Sequence, residues 1–390
     1  APACAELRAK AYTERVRQKT GLIIDPYFSA TGIQWILDHV DGARGKAAAG
    51  DLAFGTMDSW LIYQFTGGRV HATDYSNACR TLLFNIHDLT WDAELLQLLD
   101  IPAQMAPRAL PGDALFGHTR KDGLFEREIP VTGVMGDSHA ALFGQMCFQP
   151  GMGKATFGTG SSIMMNIGNR PRKSPEGLVT SIGWGCGGRV DYVYEGNIHC
   201  TGDTIHWLVH DLKLIDHAAE SEQLALSVPD NNGVYLVPAF VGLGAPYWQN
   251  RARACISGMP RSTKKAHVVR AALEAIAYQV KDLIDLMTRD ADIKLKELRV
   301  DGGPTRNAFL MQFLSDMLNS RISCSRDEEI SALGAAMMAG LSVKFWKNTD
   351  ELTALRRGGQ EFSPDMNRET RNTLYQGWQK TVQSVVNAAQ

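Results

Sequence analysis

The residues Ala155-Thr156-Phe157-Gly158-Thr159-Gly160-Ser161-Ser162 place a Gly-Thr-Gly triplet inside a run that we predict to be strands, from Ala155 to Ile167. Such a turn lets backbone N–H groups and hydroxyls face one way, as phosphate binding requires. An ordinary hairpin turn explains the same residues, so both interpretations stay open. No Gly-Lys-Ser/Thr follows and the G-x-G-x-x-G spacing is absent, which excludes a Walker A loop and a dinucleotide motif.

On the N-terminal side, the apolar, β-branched run 129–135 predicts a buried strand that ends at Gly136-Asp137, and a helix is predicted over 140–146. A carboxylate at the end of a parallel strand lies where α/β folds open their ligand crevice, so Asp137 is a candidate general base or metal ligand. An Asp before a helical run is also a good N-cap, which the spacing alone favours. His139 is interpreted as a packing residue.

On the C-terminal side, residues 269–287 carry apolar side chains at helical spacing and predict the longest helix. A short strand, 298–301, then leads through Gly302-Gly303 into a helix near Phe309. Bare glycine backbone lets a ligand approach a helix N-terminus closely, although a capped helix entry would look the same. The small residues of 331–336 predict close packing of one more helix.

Composition limits the class of protein. The chain has 390 residues, with 40 Lys and Arg against 42 Asp and Glu, so a basic nucleic-acid surface is not indicated. Apolar stretches are interrupted before the ~18 residues of a membrane span, so no membrane partner is expected. Seven scattered cysteines without a C-x-x-C pair argue against a disulfide framework and a zinc site, and suggest a cytoplasmic location. The length predicts two domains, divided at 147/148 beside a Pro-Gly break.

The order of these features, an acid, a Gly-Thr-Gly turn, a long helix and Asp-Gly-Gly before a helix, is similar to that of kinases with an actin-like fold. The chain resembles the FGGY carbohydrate kinases, and within them the glycerol kinases, from about Gly21 onward. The resemblance rests on these segments: Asp25–Ser29, Phe54–Leu61, Thr73–Ala78, Gly136-Asp137, Phe157–Gly160, Pro238–Trp248, Ala254–Glu274 and Val300–Gly303.

This resemblance implies an α/β, actin-like (ribonuclease H-like) fold of two domains, each a mixed sheet flanked by helices, with a cleft between them. Residues 1–147 would form the substrate side and residues 148–390 the nucleotide side. The implied activity is ATP-dependent phosphorylation of a primary hydroxyl on a small polyol or sugar, with ATP and Mg²⁺ as cofactors. A homodimer or higher homo-oligomer is also compatible with the family.

The resemblance also assigns roles to residues. Asp137 becomes the base that accepts the substrate's proton, and a candidate Mg²⁺ ligand. Tyr27, Ser138 and Ser162 match substrate-side positions. The nucleotide-side positions are Gly158, Thr159, Gly202, His206, Gly303 and Asn307.

Three departures from the family pattern qualify the activity. No Asp-x-Gly-Thr-x-Ser hairpin and no substrate-binding Arg-Glu pair occur where the family has them, so we expect part of the N-terminal domain to be missing. Ser138 and Ser162 stand where glycerol kinases carry a Gln and an aromatic residue, and His206 stands at a Gln position. The two serines enlarge the pocket and favour a longer polyol or sugar. Glycerol kinase proper and an inactive family member remain the alternatives.

Overall fold

The computed structural model describes residues 2–121 and 125–389. Within them, the helices are α1 Pro2–Ala9, α2 Thr13–Thr20, α3 Ser29–His39, α4 Ala43–Ala49, α5 Met57–Phe65, α6 Tyr75–Ala78, α7 Ala93–Leu98, α8 Asp137–Gly144, α9 Gly202–His210, α10 Glu220–Leu226, α11 Lys265–Ala291, α12 Ala308–Leu318, α13 Ile330–Ser342, α14 Thr349–Ala354 and α15 Arg368–Ala388.

The strands in the same part of the chain are β1 Ala72–Asp74, β2 Phe84–Asn85, β3 Thr90–Trp91, β4 Arg108–Leu110, β5 Gly117–His118, β6 Pro130–Val131, β7 Met152–Phe157, β8 Ser161–Gly168, β9 Val179–Cys186, β10 Arg189–Ile198, β11 Tyr235–Val237, β12 Cys255–Ser257, β13 Glu297–Gly302, β14 Ile322–Cys324 and β15 Glu361–Phe362. Short 3₁₀ turns lie at Ala103–Met105 and Gly303–Arg306.

A seven-stranded mixed sheet organises the C-terminal part, in the order β15-β14-β13-β7-β8-β10-β9. Strand β13 runs parallel to β7 and β14, and the other neighbours are antiparallel. Alternate side chains of each strand point to opposite faces. One face carries Ala155, Phe157, Ile163 and Val300 and packs into the main core with α11, which is buried along most of its length.

The opposite face of the sheet is covered by α8 and α13, whose Phe143 and Met338 share a smaller core with Met164 and Trp184. This face also carries polar side chains, and α8 begins above them. The sheet therefore separates a large apolar core from the layer in which the candidate site lies.

The N-terminal part is mainly helical, and its helices share a separate core that includes Leu22, Leu37 and Leu95. The predicted α/β class, with a mixed sheet flanked by helices, is confirmed, but the large mixed sheet lies in the C-terminal part. Strands of the described N-terminal residues pair two by two, with β1 and β4 parallel. Instead of the mixed sheet predicted for the N-terminal domain, the described residues there form these short strand pairs.

The strand predicted over 129–135 is largely a loop. Only Pro130–Val131 is a strand, paired antiparallel with Gly117–His118. Gly133 has φ +74°, and a Cβ there would lie 2.5 Å from the Ala335 carbonyl oxygen, so close approach of α13 requires an irregular backbone. Asp137 consequently follows a loop, and the prediction that it ends a buried parallel strand is wrong.

Other predicted elements occur with shifted bounds. The runs around 155–167 and 178–194 are two hairpins, β7–β8 and β9–β10, and the second turns at Gly187-Gly188, both with positive φ. The long helix extends over 265–291 rather than 269–287. In the described part of the chain, every helix is too short or too polar to cross a lipid bilayer.

Candidate active site

Asp137 is the first residue of α8 and is exposed to a cavity of about 540 Å³ between the N-terminal helices and the sheet. This volume suits a small organic ligand. Tyr27 and Ser138, which the resemblance assigns to the substrate side, also line the cavity. Tyr27 is 77% exposed, so its ring lies at the mouth of the cavity.

The capping interpretation of Asp137 is not supported by the geometry. The N-cap of α8 is Gly136, and no side chain caps the helix. Asp137 Oδ1 accepts the neighbouring Ser138 N–H at 2.6 Å, and a first-turn carboxylate also interacts well with the helix dipole. No cationic group pairs with this carboxylate among the described residues, so it is available to a ligand.

The backbone before Asp137 is held from the N-terminal side. The Gly136 N–H donates to Ser76 Oγ at 2.8 Å. Asp74 caps α6, and its carboxylate accepts the N–H groups of Ser76 and Asn77. Through this network, the Thr73–Ala78 segment determines where α8 begins.

The wall of the cavity opposite α8 includes an ion pair that the sequence reasoning missed. Arg80 Nη1 lies 2.6 Å from Glu195 Oε2, and Nη2 lies 3.3 Å from Oε1. The side chains are 18% and 6% exposed, and both line the cavity. The two residues are 115 positions apart, and Glu195 lies within strand β10. No local sequence pattern therefore indicates that they pair.

The floor near the cavity is a polar row across neighbouring strands. Asp301 of β13 is paired with Thr156 of β7, Thr156 with Ser162 of β8, and Ser162 with Asn197 of β10. Ser162 is half-buried and lies on the same face as Met164, which lines the cavity. The predicted substrate-side Ser162 therefore belongs to the sheet below the cavity.

Lys154 lies in the same layer and was also missed. It is 1% exposed, and its Nζ contacts Thr156 Oγ1 at 3.1 Å and Ser162 Oγ at 3.5 Å. Burial lowers the pKa of the Lys154 ammonium, while the carboxylates of Asp301 and Glu195 favour its charged form. A lysine within an otherwise apolar strand was the available sequence signal.

The Gly-Thr-Gly turn joins β7 to β8, so the hairpin interpretation is confirmed for its backbone. The turn also contacts the start of α9. Gly202 N–H donates to the Gly158 carbonyl at 3.0 Å, and a Cβ on Gly202 would lie 2.5 Å from that oxygen. Thr159 is exposed, and its hydroxyl has no partner in the described part of the chain.

One hydroxyl of this motif is unavailable to a ligand. Ser161 is 5% exposed, and its Oγ donates to Thr201 Oγ1 at 2.9 Å. Of the hydroxyls in the turn region, Thr159 is thus the one directed outward, and Ser161 fastens the turn to α9.

The remaining positions that the resemblance assigns to the nucleotide side are Gly303, Asn307 and His206. Gly302 has φ +99° and packs on Phe157, which brings exposed Gly303 beside the turn. Asn307 caps α12, accepting Leu310 N–H at 2.9 Å, so the capped-entry interpretation is correct for it. His206 is exposed on α9, one turn beyond Gly202, and its ring contacts that of His210 at a centroid distance of 4.2 Å and a tilt of 42°.

His139 behaves as the sequence predicted. It is 3% exposed, and its Nε2 lies 3.1 Å from Ser181 Oγ. Burial holds the pKa of this imidazole well below its ordinary value, and the charges of Arg80 and Lys154 act in the same direction. His139 is therefore a neutral packing residue beneath the cavity.

The described side chains do not form a complete metal site. A metal ion here would need phosphate oxygens of a nucleotide as additional ligands. Over residues 2–121 and 125–389, no three or more His, Cys, Asp or Glu side chains cluster as a metal site. Of the described carboxylates that line the cavity, that of Asp137 is exposed and that of Asp58 is half-buried. This agrees with the usual protein environment of nucleotide-bound Mg²⁺, in which one or two carboxylates supplement phosphate oxygens.

Comparison with protein families gives two matches that together span most of the chain. Residues 1–144 match the N-terminal domain of the FGGY family of carbohydrate kinases, and residues 153–343 match its C-terminal domain. An N-terminal FGGY domain is therefore present in this chain, which corrects the expectation as far as the presence of the domain is concerned.

Individual relatives agree with this. Glycerol kinase 2 of Thermotoga maritima is 53% identical over 98% of this chain and 77% of its own length, and glycerol kinase of Bacillus subtilis is 49% identical over the same shares. The crystal structure of Plasmodium falciparum glycerol kinase with ADP superposes with a TM-score of 0.95 at 36% identity, over 98% of this chain and 77% of that one. A xylulose kinase from Rhodospirillum rubrum, 23% identical over 99% and 78%, shares the fold with a TM-score of 0.88.

Proposed function

The chain belongs to the FGGY family of carbohydrate kinases, and from this premise we propose that it transfers the γ-phosphoryl group of ATP to a primary hydroxyl of a small polyol or sugar. The observation that carries the proposal is the exposed carboxylate of Asp137, which forms no ion pair with the described residues, at a cavity of about 540 Å³. The glycine turn at 158–160 lies on the other side of the proposed domain division and presents the Thr159 hydroxyl, which has no partner among the described residues.

In the proposed reaction, Asp137 accepts the proton of the attacking hydroxyl. The bond between the γ-phosphorus and the bridging oxygen of ATP breaks, the new phosphorus–oxygen bond forms, and ADP leaves. Phosphoryl transfer depends mainly on positioning and on charge stabilisation, so a rigidly placed carboxylate suits the task. Tyr27 and Ser138 would contact the acceptor alcohol.

The nucleotide would bind along the turn at 158–160 and the start of α9. Gly158 and Gly202 allow close backbone approach, and the Thr159 hydroxyl would donate to a phosphate oxygen. Gly303, Asn307 and His206 would lie along the nucleoside. Mg²⁺ held by the phosphates and Asp137 would neutralise charge on the transferred group.

Domain limits form part of the proposal. We place the division at 147/148, with residues 1–147 as the substrate side and 148–390 as the nucleotide side. Supporting this, the two family matches end at 144 and begin at 153. The helix α8 that carries Asp137 then ends at the boundary and packs on the C-terminal domain.

Two observations favour different acceptors. The 49–53% identity with enzymes described as glycerol kinases favours glycerol. The half-buried Ser162, at a position where glycerol kinases carry an aromatic side chain, leaves room for a longer polyol or a sugar. We propose the longer acceptor, and glycerol kinase proper is the second candidate.

Asp137→Asn tests the reaction. Asparagine keeps the size and the oxygen that accepts Ser138 N–H, but it cannot take the substrate proton, so kcat should fall by ~10²- to 10⁴-fold. The measurement is ADP release with saturating ATP and polyol. ATP affinity should change far less than kcat, because the turn at 158–160 and the residues proposed to lie along the nucleoside are unaltered. Turnover within about threefold of the unmodified protein would remove Asp137 from the mechanism.

Thr159→Val tests the nucleotide side. Loss of a hydroxyl that contacts the transferred phosphate should lower kcat by roughly 10- to 100-fold and leave the polyol KM nearly unchanged. Thr305→Val is a matched control, because its hydroxyl is already bonded to the Gly302 carbonyl. If Thr159→Val instead raised the polyol KM at constant kcat, the turn would contact the acceptor.

A further inference from the structure

Two hydroxyls receive hydrogen bonds from one buried cation. Lys154 Nζ lies 3.1 Å from Thr156 Oγ1 and 3.5 Å from Ser162 Oγ, and Thr156 and Ser162 are paired across β7 and β8. An ammonium group only donates, so each hydroxyl must direct its own proton elsewhere. The lysine thereby fixes which way both hydroxyls point.

The hydroxyl protons of Thr156 and Ser162 differ in whether they have an acceptor. Thr156 Oγ1 donates to Asp301 Oδ2 at 3.2 Å, and Gln145 Nε2 donates to the same carboxylate oxygen at 3.0 Å. The Ser162 proton has no acceptor among the residues that the structure describes. Ser162 is half-buried and lies on the same face of the sheet as Met164 and Glu195, which line the cavity.

A buried lysine without a carboxylate in contact is costly unless its charge has a use. No acidic oxygen lies within 4 Å of Lys154 Nζ in the described chain, so an ion pair does not account for its burial. The contact with Ser162 gives this charge a use, because it leaves the Ser162 hydroxyl proton available for donation on the sheet face beside the cavity.

We propose that Lys154 is a positioning residue that, through Ser162, binds a substrate hydroxyl remote from the one phosphorylated at Asp137, and so selects polyols of four or five carbons over glycerol. The proposal rests on the proposed function, since it deepens the description of the same acceptor site. Glycerol has no hydroxyl beyond its third carbon to meet Ser162. A longer polyol has a further hydroxyl oxygen, which accepts a hydrogen bond from the Ser162 hydroxyl.

The experiment measures kcat/KM for glycerol, erythritol and ribitol by ADP release. Lys154→Met and Ser162→Ala should each lower the ratio of the longer polyol to glycerol by about tenfold, the usual consequence of losing one hydrogen bond in a specific site. The double variant should fall no further, because both changes remove one interaction. Ser162→Thr, which keeps the hydroxyl, should retain the ratio.

Thr156→Val is the matched control. It removes the other hydroxyl bonded to Lys154, whose proton goes to Asp301, so it should affect all three alcohols by the same factor. A merely structural role for Lys154 predicts that same uniform loss for Lys154→Met. If Lys154→Met does not fold, Lys154→Gln, which keeps an N–H donor without the charge, replaces it.

Equal losses toward glycerol and the longer polyols in the Lys154 and Ser162 variants, or multiplicative losses in the double variant, would overturn the inference. Calorimetric titration of the same polyols without ATP separates it from the proposed function. Selective polyol binding that depends on Lys154 and Ser162, without phosphorylation, would support the inference and refute the kinase activity. Phosphorylation with an unchanged ratio would do the reverse.

Discussion

Asp74 is a buried residue whose ionisation the fold shifts into the neutral pH range. It is fully buried, and burial raises the pKa of its carboxyl to about 7, although the Ser76 hydrogen bonds oppose this effect. The folded state thus binds the proton more tightly than the unfolded chain, in which the group titrates near 3.8. The stability that Asp74 contributes is therefore complete below about pH 4 and is lost as the pH rises through about 7.

Asp74→Asn should remove this dependence. Between pH 5 and 7 the unmodified protein should lose unfolding free energy relative to the variant, by at most about 1.4 kcal/mol per pH unit. Denaturant unfolding of both proteins at pH 5, 6, 7 and 8 measures the difference. Asp41→Asn, at an exposed position, should give a constant difference over the same range. A constant difference for Asp74→Asn as well would show that Asp74 is ionised throughout.

Helices α8 and α13 form the element-scale contact that fixes the candidate base. A Cβ on Gly334 would lie 1.9 Å from the Ala140 carbonyl oxygen, so the two helices touch through bare backbone. Ser331 Oγ also donates to the Asp137 carbonyl at 2.9 Å. The position of Asp137 therefore depends on the close approach of α13.

Gly334→Ala should separate these helices. We expect a loss of roughly 1 to 3 kcal/mol in unfolding free energy, as for overpacked cores, and a fall of at least tenfold in kcat/KM, since small displacements of catalytic groups are costly. Thermal denaturation and ADP release provide the two readouts. Ala336→Ser, on the exposed side of α13, should change neither appreciably. Full activity in Gly334→Ala would mean that α8 is positioned independently of α13.

Elements with a strong local pattern could be predicted from the sequence, and those set by tertiary contacts could not. The hairpin at 158–160 and the helix at 265–291 have clear turn and periodicity signals. The loop before Asp137 has strand-like composition, and only the approach of α13 to Gly133 explains its shape. Asp137 and Thr159 could be predicted as candidate site residues from sequence motifs. Lys154, Arg80 and Glu195 could not, because they become neighbours of the site only when distant strands and helices meet.

At the scale of the whole molecule, Asp282 joins three separate parts of the chain. It lies on α11, and its carboxylate accepts Tyr375 OH at 2.6 Å, Trp378 Nε1 at 2.8 Å and Tyr247 OH at 2.9 Å. Tyr375 and Trp378 belong to α15, which follows the residues matched by the C-terminal family domain. One buried carboxylate thus attaches the last helix and the 244–249 loop to the central helix.

Asp282→Ala should leave three donors unsatisfied in the core, at about 1 to 3 kcal/mol each, so we expect a loss of roughly 3 kcal/mol or more in unfolding free energy. Asp285→Ala is the matched control, one turn along α11, where the side chain is 46% exposed and pairs with Lys281. A surface pair of this kind contributes at most about 1 kcal/mol. Asp282 does not line the cavity, so kcat measured well below the melting temperature should be preserved. Equal destabilisation by the two substitutions would show that α15 is held by its apolar face, around Val382 and Val385, rather than by this carboxylate.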